Sequence, residues 1–68
     1  MKNTVRVERA ILGITQQDLA SAVGVSRQTI NSIESGRYVP STVLALKISG
    51  HFRKPVESIF SLEESDFR

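Results

Sequence analysis

Sixty-eight residues, a net charge of +2 and no cysteine describe one small domain without disulfides, a thiolate zinc site or a cysteine nucleophile. A chain this short buries roughly 60% of its unfolded surface, so its stability margin is thin and pairing with a second copy would help. No apolar run approaches the ~20 residues of a membrane span, and the start "MKNTVRVERA" has no apolar signal region, so the expected location is the cytoplasm.

The charge is unevenly spread. Residues 1–54 hold eight Lys and Arg against Glu8, Asp18 and Glu34, a balance of +5, whereas residues 55–68 hold four carboxylates against Arg68, a balance of −3. A basic body with an acidic tail suits an anionic partner for the body. A merely solvated surface can carry the same distribution.

Along the chain the pattern predicts short helices with clear stops, no internal repeat and no strand-like alternation of any length. The first helix is expected over about residues 3–12, ended by Gly13. Thr15 begins the second, with Asp18 at the acidic position of a capping-box-like "TQQD". Leu19, Ala20 and Val23 form its apolar side, and Gly24 is suited to a left-handed stop. Ser26 opens the third helix, which ends near residues 34–35 before Gly36. "RYVP" reads as a loop. Ser41 caps a fourth helix, "TVLALKISGHF", with Leu44, Ala45, Ile48 and Phe52 at core spacing. Pro55 suits the first turn of a short fifth, "PVESIF". The last eight residues, 61–68, read as frayed or as a brief edge segment. The expected fold is all-α: a single domain over 1–68 of five short helices. The three-residue "GVS" joins the second and third helices at a steep angle, so a helix-turn-helix spans about residues 16–35.

At ~100° per residue, Ile30 and Ile33 define the inner face of the third helix. Gln28, Asn31, Ser32 and Ser35 then face outward with Arg27 at the helix start, and no carboxylate lies among them. On the first helix, Val5 and Leu12 mark a buried stripe with Arg9 between them. An unpaired buried charge is costly, and Glu34, on the inner edge of the third helix, is the natural partner. The expectation is an ion pair between Arg9 and Glu34; the alternative is that Arg9 reaches solvent along its stem.

The assembled stretch "TQQDLASAVGVSRQTINSIESG" closely resembles the helix-turn-helix of lambda-repressor-like regulators, the Cro or XRE family. Downstream, Pro40, "LALKI" and "VESIF" are similar to that family's fourth and fifth helices, so the resemblance covers about residues 4–60. "SRQTIN" and "LALKI" look like very small dimeric repressors in which this domain is the whole protein. The resemblance implies that the third helix lies in the major groove. Arg27, Gln28 and Ser32 match base-reading positions, flanked by Asn31 and Thr29. Gln16 matches a residue that holds a phosphate and can brace Gln28; Gln17, beside it at the same helix start, is expected to contact a phosphate too. Ser35, Gly36, Arg37 and Tyr38 match a second phosphate clamp, and Arg9 and Glu34 match a structural ion pair.

The side-chain chemistry agrees. Gln can bond bidentately to adenine and Arg to guanine, and Ser or Thr serves either. An outward face free of carboxylates avoids phosphate repulsion, and helix N-termini offer free N–H groups. For single residues other readings stand alongside. Arg27 suits a phosphate as well as a guanine, Ser32 can act through water, and Tyr38 can simply pack. His51 has no second His or Cys to complete a metal site, and Asp18 is a cap, not a base.

Val7 and Ile11 form a second apolar stripe on the first helix, with two uses open: to receive the tail (Phe60, Leu62, Phe67) or to touch another subunit. Val56, Ile59, Phe60 and Leu62 exceed what so small a core hides easily. With the resemblance, they are expected to form a dimer surface; closing the monomer core is the alternative. The function expected is a sequence-specific double-stranded DNA-binding regulator, a homodimeric repressor on a near-palindrome. The runner-up is an antitoxin-like protein-binding module using the acidic tail. No enzyme, cofactor, metal, membrane or small-molecule role is expected.

Overall fold

Thr15, Ser26 and Ser41 each accept a hydrogen bond from the backbone N–H three residues on, at 3.0, 3.2 and 3.2 Å, and each begins a helix. The computed structural model describes residues 1–68. Its helices are α1 (Val5–Leu12), α2 (Gln16–Val23), α3 (Arg27–Glu34), α4 (Thr42–His51) and α5 (Val56–Ile59). At the start of α2 the capping is reciprocal, because Asp18 Oδ2 accepts from the Thr15 N–H at 3.0 Å. Gly24 closes α2 at φ 79°, a left-handed geometry that an L side chain adopts only with strain. The N–H groups of Gly24 and Val25 both donate to Ala20 O, at 2.9 and 3.0 Å, and the turned chain lays Val25 against the core. No helix is long and apolar enough to cross a membrane.

The core collects one face of every helix. Its largest fully buried side chains are Val5, Leu19, Ile30, Ile33, Ile48 and Ile59. Leu44, Ala45, Ile48 and Phe52 of the fourth helical segment are all buried, as their spacing predicts. Ala20 is fully buried, on the face of α2 that packs against α3 and α4.

Two expectations need correction, and two readings left open are narrowed. The first helix starts at Val5, because residues 2–3 form a strand, β1 (Lys2–Asn3), antiparallel to β2 (Phe60–Ser61) with Asn3 opposite Phe60. Two-residue strands are too short to show alternation. Beyond β2 the tail makes one 3₁₀ turn, Glu64–Phe67, and the amino group of Met1 lies 3.1 Å from both Glu63 and Asp66.

Leu12 is not in the buried stripe of α1; it is 52% exposed. The stripe runs through Val5 and Glu8. Gly13 turns the chain at φ 69°, and Ile14 packs against the core where Leu12 was expected.

Ile59 and Phe60 are buried inside this chain at 2% and 7% exposure, so they close its core, the alternative to a subunit surface. The β1–β2 pairing and the bond from Thr4 N–H to Ile59 O at 2.9 Å draw them inward. Val56 is half-buried and only Leu62 is well exposed.

Of the two uses open to Val7 and Ile11, receiving the tail does not occur within this chain. Both are exposed, as are Leu62 and Phe67.

Candidate nucleic-acid interface

The outer side of α3 is polar because its two bulky apolar residues are fully committed inward. Ile30 and Ile33 are buried, Arg27 and Gln28 are exposed, and Thr29, Asn31 and Ser32 are half-buried. Its one carboxylate, Glu34, has a side chain with no exposure at all. Arg9 Nε donates to Glu34 Oε2 at 2.6 Å and Arg9 Nη2 to Oε1 at 3.0 Å, while Nη1 reaches Ile14 O at 3.0 Å. This fork is the strong, planar form of a charge-assisted pair. Arg6 adds a weaker contact to Oε1 at 3.5 Å. Burial alone would push the Glu34 carboxyl up, but the hydrogen bonds from Arg9 and Gln16 outweigh it and hold it below the ordinary range. The Arg9 guanidinium is correspondingly raised by its bond to Glu34. Negative charge is thus removed from the outward face by position and neutralised where it sits.

Gln16, first residue of α2, reaches across to α3. Its Nε2 donates to Glu34 Oε1 at 3.0 Å and to Asn31 Oδ1 at 3.2 Å. The expectation that it braces Gln28 is therefore corrected: its amide is held by Asn31 and Glu34. Both amino hydrogens of Gln16 are engaged within the chain. Gln17 points elsewhere and donates to Ser21 Oγ at 3.1 Å.

Thr29 is likewise partly occupied, its Oγ1 lying 3.0 Å from the capping Ser26 Oγ. After α3, Ser35 Oγ donates to Ser32 O and accepts from Arg37 Nε, both at 3.1 Å, which steadies Arg37 and leaves its terminal nitrogens outward. Gln16, Arg27, Gln28 and Asn31 line one open depression with no apolar residue. On the other flank of α3, Gln28, Thr29, Ser32 and Tyr38 line a shallow groove. The two depressions share Gln28, so Gln16, Arg27, Asn31, Thr29, Ser32 and Tyr38 lie on one continuous surface with it; Ser35 and Arg37 are exposed after α3, and Gln17 turns along α2 to Ser21.

Three supporting contacts escape sequence reasoning. Asn3 Nδ2 donates to Ile33 O at 2.9 Å while its Oδ1 accepts from Val5 N–H at 3.1 Å, clasping the start of α1 to the end of α3. Buried Glu8 is held by Lys54 Nζ at 2.9–3.0 Å. Arg6 joins Glu34. The spacing of Val5 and Glu8 could have shown Glu8 on the buried side; nothing local marks Asn3 or Lys54 as a partner.

The helix-turn-helix family profile matches residues 5–59 of this chain. The chain is 50% identical over 66 residues to the uncharacterized HTH-type transcriptional regulator YgzD of Bacillus subtilis, covering 97% of this chain and all of that one. It is 48% identical over 66 residues, with the same coverage, to an uncharacterized HTH-type transcriptional regulator of Methanocaldococcus jannaschii. A similar protein of Methanothermobacter thermautotrophicus is 48% identical over 65 residues, 94% of each chain. With α2 and α3 joined through Gly24 and the polar face of α3 turned outward, the chain belongs to the Cro/XRE-type helix-turn-helix family.

Proposed function

We propose that the protein is a sequence-specific double-stranded DNA-binding transcriptional regulator, acting in the cytoplasm as a homodimer on a near-palindromic operator and repressing by occlusion. The observation that carries this reading is the outward face of α3. It displays Arg27, Gln28, Asn31 and Ser32 while the one acidic residue of the helix is buried against Arg9. Arg27 and Gln28 have the reach and donor pattern for guanine and adenine edges, with Ser32 alongside. Backbone N–H groups at the start of α2, with Ser35, Arg37 and Tyr38 after α3, flank that face and suit phosphates on either side. The names of the relatives, HTH-type transcriptional regulators, support the regulatory role.

A dimer would set two copies of α3 in successive major grooves about 34 Å apart. Exposed Leu62 and half-buried Val56 are what remain open of the expected subunit surface. Removing the chain after Phe60 tests it: loss of dimer is expected, and a persistent dimer would place the contact elsewhere.

Equilibrium binding to a mixed-sequence duplex across a salt series tests the DNA role. Affinity should fall steeply, linearly in log–log form, because phosphate contacts release counterions. Arg37→Ala should weaken all duplexes alike and lower the slope by about one unit. Affinity independent of salt would contradict the proposal.

A further inference from the structure

We propose that Gln16 fixes the polarity of the Asn31 amide, so that Asn31 faces DNA with its amino group and reads a keto base, guanine or thymine. This rests on α3 being the DNA-reading helix.

Polarity propagates outward from Arg9. A guanidinium stays protonated and can only donate. With two of its N–H groups at 2.6 and 3.0 Å, Glu34 is ionised and can only accept. The end of the Gln16 amide that lies 3.0 Å from Glu34 Oε1 must therefore be its amino group. That same nitrogen lies 3.2 Å from the Asn31 amide. Its second hydrogen requires an acceptor, so the Asn31 atom facing it is Oδ1. A reversed Asn31 would set one amino group against another and lose the bond. What remains of Asn31 is Nδ2, which has no hydrogen-bond partner in the chain; Asn31 itself lines the open depression with Arg27 and Gln28.

Four residues thus translate a permanent charge into a fixed orientation at the surface. In the major groove, guanine offers two acceptors, O6 and N7, and thymine offers O4, whereas adenine sets an amino group beside its N7 acceptor and cytosine offers an amino group alone. A side chain held as a donor favours the keto bases. Gln16 acts here as a positioning residue: it shapes preference through Asn31 without reading a base itself.

Two measurements test this. In the free protein, side-chain amide exchange by NMR should show slow exchange at Gln16 and fast exchange at Asn31. Fast exchange at Gln16 with protection at Asn31 would overturn the proposal without reference to DNA. Selection of bound duplexes should then be run with wild type, Asn31→Ala, Gln16→Leu and Asn31→Asp. Asn31→Ala identifies the base position that Asn31 reads. There, wild type should prefer guanine or thymine, and Gln16→Leu should admit adenine as the amide becomes free to turn. Discrimination should fall from roughly tenfold to about twofold. Asn31→Asp, an acceptor only, should move the preference to cytosine or adenine. An unchanged preference in Gln16→Leu, or an amino base preferred by wild type, overturns the proposal while leaving the DNA-reading role intact. No enriched sequence in any variant overturns that role and the proposal together.

Discussion

Arg9 grips Glu34 through two parallel hydrogen bonds, at 2.6 and 3.0 Å, with the carboxylate fully buried and the guanidinium stem 15% exposed. The pair ties α1 to the end of α3 and clears the outward face of negative charge. Removing one partner leaves the other charge buried and uncompensated. Arg9→Ala should therefore cost about 2–4 kcal/mol in urea unfolding. Arg6→Ala, whose side chain is 69% exposed at 3.5 Å from the same carboxylate, should cost under about 0.5 kcal/mol. Equal losses in the two variants would show that the fork has no special role.

Glu34 also sets an acid limit. Burial would raise its carboxyl, yet the bonds from Arg9 and Gln16 prevail and keep it below its unfolded value of 4.5. The folded state then holds fewer protons near that pH than the unfolded state does. The stability it contributes is complete above pH 4.5 and disappears as pH falls through the lower folded value. Asp18, lowered by its bond from the Thr15 N–H, acts in the same direction. Unfolding free energy should be level from pH 7 to 5 and decline below 4.5. Glu34→Gln, less stable at neutral pH, should show a shallower decline; an identical slope would assign acid sensitivity to other groups.

The Ser49 hydroxyl is buried without a hydrogen-bond partner, the residue being only 2% exposed. An unsatisfied buried hydroxyl is a net cost, and alanine is also the better helix former. Ser49→Ala should raise stability by about 1 kcal/mol, which in so small a domain moves Tm by roughly 4–8 °C. A fall in Tm would reveal an unseen partner for the hydroxyl.

Arg53 stands at φ 57° just beyond α4, the only non-glycine residue in left-handed geometry. Its N–H and that of Lys54 close the helix by donating to Gly50 O and Ser49 O, both at 3.1 Å, an arrangement that glycine adopts without strain. Arg53→Gly should gain about 0.5–1 kcal/mol after the entropy of the extra freedom is subtracted. A loss in thermal unfolding would mean that the arginine stem packs usefully.

Local signals made most of the scaffold legible. The Thr15, Ser26 and Ser41 caps, the Gly24 stop and the spacing of Ile30 and Ile33 each act within a few residues, so sequence alone exposes them. The requirement that a buried charge be paired extended this to Arg9 and Glu34, 25 residues apart. Long-range closure was less legible. Strands of two residues carry no periodicity, so nothing local announces the pairing of Asn3 with Phe60. Without that pairing, nothing in the sequence draws Ile59 and Phe60 into the core. The i, i+7 spacing of Val5 and Leu12 does not reveal that Gly13 turns the chain and substitutes Ile14. Position along the chain does not fix the partner of Gln16; the distances to Asn31 and Glu34 do.

Whether the outward face of α3 reads a specific DNA sequence is decided by in vitro selection from random duplexes at fixed, stated salt, with wild type and Gln28→Ala in parallel. Wild type should enrich a near-palindrome with half-sites about one helical turn apart. Gln28→Ala should relax one base pair per half-site at a cost of about 1–3 kcal/mol. A wild-type selection that enriches no sequence, or a Gln28→Ala pool identical to it, would contradict the account.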